Sequence, residues 1–279
     1  MKLRPTNRFA VCCLLVALAT TSASAQSADS ANVVHGPLFH LSDAYVAAGF
    51  AAATIAMFPL DRHLAREVRR EDYLGSADLR RASAVFRFAG GQAPVILGVS
   101  GFIIGKATHR ARLTEISLHT SEAIVVATGV TSFLKGVIGR ERPYLSADTN
   151  AHRFRPLKGW SSASYASFPS GHTTAAFATA AAFVAEVEEK WPGRQRYVAP
   201  VVFTLATGVG LSRMYDDKHW ASDVVMGAAI GTFAGLKVVR FNHTRAGNRL
   251  DRWLLGSTNH LTVFPGGGGA VIALSGYVP

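Results

Sequence analysis

The sequence predicts an all-α fold, a helical bundle of about six core helices with a small C-terminal β-hairpin. Three observations lead there: long apolar stretches without strict alternation, charged connections between them, and a tail of different character. The stretches are residues 44–60, 88–105, 123–134, 173–185, 197–212 and 224–236. Runs longer than about ten residues that lack a period of two favour helices over strands. Charge collects in residues 61–72, 106–115, 186–196 and 237–252, and Pro143, Pro169 and Pro192 mark places where helices start or stop. In the tail, residues 261–264 and 270–274 flank Pro265 and the glycines Gly266 to Gly269, which is a hairpin pattern. No helix follows those glycines, so they read as a turn and not as a phosphate-binding loop.

Residues 1–25 carry a leader pattern. Lys2, Arg4 and Arg8 precede an apolar run at 9–19, and Ala23, Ser24 and Ala25 offer a small-residue cleavage site. The run is well short of the ~20 residues that span a bilayer, so a cleaved secretory leader and periplasmic chemistry are expected over a retained anchor. Cleavage removes three positive charges, taking the formal charge from +11 to +8. It also removes Cys12 and Cys13, leaving no disulfide, thiol nucleophile or cysteine metal site in an oxidising compartment. The expected organisation is a leader at 1–25, a linker at 26–43, a helical domain at 44–252 and the tail at 253–279.

A composition of 49% hydrophobic and 17% charged residues excludes a disordered chain. Each apolar run falls at or below the ~18-residue threshold for a span, and a mean hydropathy of +0.19 is low for a chain made mostly of spans. These points narrowly favour a soluble or peripherally bound bundle, although the runs 44–60 and 88–105 are free of charge and fit lipid. The excess of 29 Lys and Arg over 18 Asp and Glu suits an anionic membrane surface. Nucleic acid is a poor partner, because the positive charge tracks helix ends and no aromatic platform motif accompanies it.

Three clusters carry chemistry. Lys135 and Arg142 are seven residues apart, close to two helical turns, so they project from one face near a helix end that Pro143 enforces. Such a pair grips two oxygens of a tetrahedral anion, although basic residues snorkelling from an apolar helix give the same pattern. Ser170, Gly171 and His172 open the helical run at 173–185, where unpaired amides make an anion site. Ser170 caps that helix or donates to an oxyanion, Gly171 admits close approach, and His172 overhangs the opening. His219 and Asp223 are spaced i,i+4, so a shared helix face lets the carboxylate fix the imidazole tautomer, and Arg213 supplies a third cation. Asp216 or Asp217 is placed to cap the helix that carries His219. Together these groups suit phosphoryl transfer: cations and amides hold the oxygens, one histidine attacks phosphorus and the other protonates the leaving oxygen. No metal or other cofactor is required, and no tight ligand set stands out.

The pattern Lys135-x6-Arg142-Pro143, then Pro169-Ser170-Gly171-His172, then Ser212-Arg213-x5-His219-x3-Asp223 resembles the three-part signature of the type 2 phosphatidic acid phosphatase (PAP2) superfamily. That superfamily includes bacterial acid phosphatases and vanadium haloperoxidases. The resemblance covers residues 135–223 by motif and about 44–236 by helical pattern, and leaves the tail outside. It implies a helical phosphatase domain in which His219 forms a phosphohistidine, Asp223 orients it, and His172 is first the acid and then the base. It also implies that Lys135, Arg142, Arg213, Ser170 and Gly171 bind the phosphate.

The expected activity is an exported, metal-independent phosphatase acting on phosphate monoesters or diphosphates, with the apolar helices and basic balance leaning toward lipids such as phosphatidate or isoprenyl diphosphates. The alternatives are a nonspecific soluble acid phosphatase, a vanadium-dependent haloperoxidase, and a noncatalytic anion-binding module built on Lys237, Arg240, Arg245, Arg249 and Arg252. The other histidines, His35, His40, His63, His109, His119, His152, His243 and His260, read as surface or satisfied core residues. Arg140, Arg153, Arg155 and Lys158 read as a solvated loop near the site.

Overall fold

The computed structural model describes residues 37–70, 75–146, 150–245 and 253–255, and the backbone of 260–266 and 269–275. The leader expected at residues 1–25 lies outside them. Among the described residues seven long helices follow in order: α1 (Leu41–Val68), α2 (Ala77–Gly90), α3 (Gln92–Ala107), α4 (Ala111–Ile138), α5 (Gly171–Lys190), α6 (Gln195–Tyr215) and α7 (Ala221–Thr244), with a further helical stretch at 253–255. Short 3-10 turns punctuate the long connection between α4 and α5.

Helix α5 is the hub, with 12 of its 20 residues buried and α4, α6 and α7 packed around it. Alanines dominate its surface, so neighbouring backbones come close. From α7, Gly227, Gly231 and Gly235 form a stripe against it, one residue per turn. A Cβ at Gly235 would lie 2.7 Å from both the Ala178 oxygen and the Ala182 nitrogen, so only glycine permits this approach. A second stripe, Gly98, Gly101 and Gly105 of α3, packs on Ser121, Ser117 and Thr114 of α4. Larger side chains fill what remains: Phe177, Phe203, Val209, Met214, Val224 and Val225 form the main apolar core with Phe50 and Met57 of α1.

Two expectations are corrected. The helices outrun the apolar stretches, because charged residues continue them: α1 and α4 each have 28 residues, and α1, α4, α6 and α7 are all long and apolar enough to cross a membrane. Only 17% of the apolar window of α1 and 28% of that of α4 is buried, so residues such as Ile55 and Val125, each 69% exposed, face outward. Helices α2 and α3 meet at a 44° bend and pass the same test as a pair. That apolar exterior marks a membrane-associated bundle, which bears out the expected membrane association and removes the fully soluble half of the narrow preference for a soluble or peripherally bound one.

The fold class is corrected at the tail. The domain is helical alone, with no strand and no sheet layer between Leu41 and Thr244 among the described residues. Residues His260–Gly266 and Gly269–Ser275 run antiparallel outside that domain and add no layer to it. An isolated two-stranded ribbon is marginal in water, Pro265 lacks a donor, and Gly266 to Gly269 bring no side chain to pack.

The stripe makes a direct prediction. Gly235→Leu should force α5 and α7 apart and cost about 3 kcal/mol or more, whereas Gly49→Ala, where a Cβ meets nothing within 4 Å, should leave stability unchanged. Thermal unfolding of the two variants in detergent measures the difference.

Candidate functional site

The C-terminal ends of α1, α4 and α6 and the N-terminal ends of α5 and α7 gather at one end of the bundle, under the connection between α4 and α5. Helix α4 stops at Ile138 because Gly139 takes a left-handed conformation, φ 64°. Arg142 is therefore off the helix, and the expected shared helical face with Lys135 is not the device that joins them. The loop does it instead. Lys135 Nζ donates to the Ala166 carbonyl at 2.7 Å and Arg142 Nη2 reaches the same oxygen at 3.4 Å. A Cβ at Gly171 would lie 3.7 Å from Lys135 Cε, so the ammonium stem passes directly over the start of α5.

Ser170 precedes that helix start, fully buried, but its hydroxyl accepts from Thr173 Oγ1 at 2.8 Å and makes no cap to a backbone amide. Its own N–H donates to the Asp223 carbonyl at 2.9 Å, which ties the start of α5 to the start of α7. His172 is half-buried and points at the bend between α2 and α3, where its Nε2 would stand 3.0 Å from a Cβ on Gly91. Arg213, in the last turn of α6, is buried and pairs with Asp216 at 2.5 Å, while its carbonyl accepts the Lys218 and His219 amides.

His219 is not on a helix. α7 begins at Ala221, and the preceding loop folds His219 back toward Asp223. Its Nδ1 stands 3.4 Å from Asp223 Oδ2, an ion-pair distance with poor direction, so Nδ1 takes no hydrogen bond among the described residues. The Asp223 oxygens are held by others: Oδ2 accepts from Ser167 Oγ at 2.5 Å and from the Trp220 amide at 2.9 Å, and Oδ1 from Arg140 at 2.5 Å. Neither expected cap exists. Asp216 accepts from Ser83 and Arg213, Asp217 pairs with Arg69, and Asp223 itself receives the amide ahead of α7.

Sequence reasoning missed Arg140 and Asp61. Arg140, read as solvated, is fully buried; it bridges Asp223, Ser222 and Asp61, and donates twice to the Ala151 carbonyl. Asp61, from α1, also accepts the Ser222 amide at 2.9 Å and the Ser222 hydroxyl at 2.5 Å. The remaining loop cations behave as expected for a surface: Arg153 pairs with Glu141, and Arg155 lies over Tyr165.

The electrostatics follow from this crowding. Burial, then the charges of Arg213, Lys135 and Arg142, push His172 down to about 4. Burial pushes His219 down to about 3, against the Asp223 carboxylate that raises it, and Lys135 and Arg142 add to the depression. Both imidazoles are neutral at pH 7, which suits His219 as a nucleophile. No group of three metal-ligand side chains forms here among the described residues; the one such group lies at the other end of the bundle.

A family model described as the PAP2 superfamily matches residues 117–246, a span that contains every candidate site residue. Three curated relatives are each named lipid A 1-phosphatase. The one from Porphyromonas gingivalis is 42% identical over 69 residues, covering 25% of this chain and 15% of the relative. That from Rhizobium johnstonii is 35% identical over 113 residues, 40% of this chain and 42% of the relative, and that from Rhizobium etli 32% over 121 residues, 43% and 48%. The chain thus spans less than half the length of the curated relatives it matches. A solved structure, the transmembrane PAP2 type phosphatidylglycerolphosphate phosphatase from Bacillus subtilis, aligns at a TM-score of 0.47 with 18% identity, covering 75% of this chain and 98% of that one.

Two predictions arise from the geometry. Arg140→Leu strands two buried carboxylates and should cost about 3–5 kcal/mol, while Asp61→Asn, which keeps an acceptor for Arg140, should cost far less; denaturant midpoints separate them. Because both histidines are depressed from 6.5, the unfolded chain binds protons that the folded chain refuses as pH drops below that value. Stability is then lost on acidification between about pH 6.5 and 4. A thermal midpoint followed against pH should fall in that window, and less steeply in His172→Gln.

Proposed function

We propose that this chain is a member of the PAP2 superfamily, whose model matches residues 117–246, and a membrane-associated phosphatase that hydrolyses a lipid phosphate through a phosphohistidine at His219. One observation carries the reading: His172 and His219 both lie under the charges of Lys135 and Arg142, with Arg213 acting on His172 and the Asp223 carboxylate 3.4 Å from His219.

In the proposed reaction the phosphate oxygens sit on Lys135, Arg142, Arg213 and the free amides at the start of α5, where Gly171 leaves room. His219 turns Nδ1 toward Asp223 and presents Nε2 to phosphorus. The new N–P bond forms as the ester P–O bond breaks, and His172 gives its proton to the leaving oxygen. Water then attacks phosphorus, His172 takes the proton, and the N–P bond breaks to release phosphate. His172 is pushed down to about 4 by burial first and then by the cations, so the step needs a reason for it to carry a proton; the bound phosphate offsets the share of that depression that the cations supply.

A lipid substrate is supported by the apolar exterior that surrounds this end of the bundle and by the relatives, whose shared name specifies the 1-phosphate of lipid A. No metal takes part in the proposed steps.

Phosphate release by the purified protein in mixed micelles tests the reading. Higher kcat/KM is expected for lipid A, phosphatidate or an isoprenyl diphosphate than for p-nitrophenyl phosphate; equal values would reduce the activity to a general acid phosphatase. His219→Ala should lose about 10^4-fold or more. His172→Ala should lose most on alkyl esters and least on p-nitrophenyl phosphate, whose leaving group needs no acid; a uniform loss would remove the acid role.

A further inference from the structure

Helices α4, α5 and α7 meet again at the opposite end of the bundle. From Gly171 to Glu186 α5 rises about 22 Å at ~1.5 Å per residue, so this second junction is remote from the phosphate pocket. Four side chains converge there: Glu115 and His119, one turn apart on α4, Glu186 on α5 and His243 on α7. One ligand atom from each lies within 4.8 Å of all the others. His119 Nδ1 stands 2.5 Å and His243 Nε2 3.0 Å from the same Glu186 oxygen, Oε1, and His243 Nδ1 lies 3.9 Å from Glu115 Oε1. The two rings meet edge to face at 89°.

We propose that Glu115, His119, Glu186 and His243 bind one divalent transition-metal ion of the zinc class, at a site separate from the phosphate pocket.

The donor set is the first reason. Two imidazoles and two carboxylates are the nitrogen and oxygen ligands that zinc and cobalt accept in four-coordinate sites, and they are too nitrogen-rich for calcium or magnesium. Burial is the second. The side chains of Glu186 and His119 are 0% and 2% exposed, and Glu186 Oε2 has the Lys190 ammonium at 3.1 Å as its charged partner without well-directed hydrogen-bond geometry. A carboxylate this deep requires a cation.

Lys190 supplies part of that charge, and its position is informative. Its ammonium lies 2.7 Å from Glu115 Oε2 and 3.1 Å from Glu186 Oε2, the outer oxygen of each carboxylate. The Oε1 atoms of both are left to the histidines. Lys190 therefore acts as an outer partner that orients the carboxylates, the arrangement ligands to a metal need.

Geometry permits loading with small movements. Bonds of ~2.1 Å around a tetrahedral ion set ligand atoms about 3.4 Å apart. The ligand atoms lie within 4.8 Å of one another, with His119 Nδ1 and His243 Nε2 at 2.5 and 3.0 Å from Glu186 Oε1, so side-chain adjustment suffices. Glu115 and His243, at 29% and 22% exposure, give the ion its way in. The ion would pin the start of α4 to the ends of α5 and α7, a staple and not a participant in hydrolysis. The inference does not rest on the phosphatase reading.

The test uses full-length protein in detergent, freed of any affinity tag, stripped by chelator and dialysed against Zn2+ or Co2+. One equivalent of metal is expected by elemental analysis. The Co2+ form should show the visible absorption of a four-coordinate ion, and Zn2+ should raise the thermal midpoint by several degrees. His119→Gln and His243→Gln should each abolish retention. Glu115→Gln, at the exposed rim, keeps the fold in hand and should weaken Zn2+ binding at least tenfold. Stripped protein that takes up no Zn2+ or Co2+ at micromolar concentration, or a folded Glu115→Gln that binds as tightly as the parent, overturns the proposal and leaves the cluster as a proton-sharing network.

Discussion

The buried ion pair between Arg140 and Asp223 is the constraint on which the site depends. Asp223 must sit beside His219 in a place where a carboxylate loses its water, and Arg140 is the compensating charge. Arg140 in turn needs Asp61, so the pair becomes a three-member bridge joining α1, the connection after α4, and α7. Phe58, Phe154 and Trp220 pack their rings around the guanidinium and keep water from it. The result is a rigid carboxylate with a fixed aim. Its oxygens are already taken by Arg140, Ser167 and the Trp220 amide, so it acts on His219 by charge and proximity more than by a strong hydrogen bond.

Around that rigid point the charge is deliberately unbalanced. Lys135, Arg142 and Arg213 face one another across the start of α5, and their local partners among the described residues are backbone carbonyls, the Ser212 hydroxyl and Asp216. Each makes protonation of the nearby imidazoles harder. A phosphate bound there, as proposed, would offset part of that charge and ease protonation of His172.

What the sequence revealed and what it hid divide by sequence distance. Lys135 with Arg142, Ser170 to His172, and Arg213 to Asp223 are short-range patterns, and the fold brings all three to one end. The local reasons given for them held less well: Gly139 breaks the helix before Arg142, and His219 precedes α7 instead of riding on it. Arg140 was hidden because its partners lie 79 and 83 residues away, and a lone arginine beside two other basic residues looks like a wet loop. Glu115 and His119 did carry a visible i,i+4 spacing, yet their meaning depends on Glu186 and His243, which only the packing of three helices supplies. Apolar run lengths understated the spans because charged residues such as Asp61 continue the helices and turn inward.

Chain direction ties the leader to the orientation of the site. Helices α1, α4 and α6 run toward the phosphate end, and α5 and α7 run away from it, as the contacts of Arg69 with Asp217 at one end of α1 and of Asp43 with Lys237 at the other require. If the leader pattern at residues 1–25 directs export of the chain beyond it, residues 26–40 stand outside. A spanning α1 then enters from the outer face and delivers the candidate site to the inner one. A cleaved leader, an outward-facing site and a membrane-crossing α1 are therefore incompatible as a set, and any two exclude the third. A bundle that lies against the membrane through its apolar exterior reconciles export with an outward site, whereas a crossing bundle with an outward site needs the N-terminal segment retained inside. Cleavage after Ala25, read by the mass of the mature chain, together with outside labelling of a cysteine placed at exposed Tyr144, distinguishes these arrangements. With the leader removed, that cysteine would be the sole thiol in the chain.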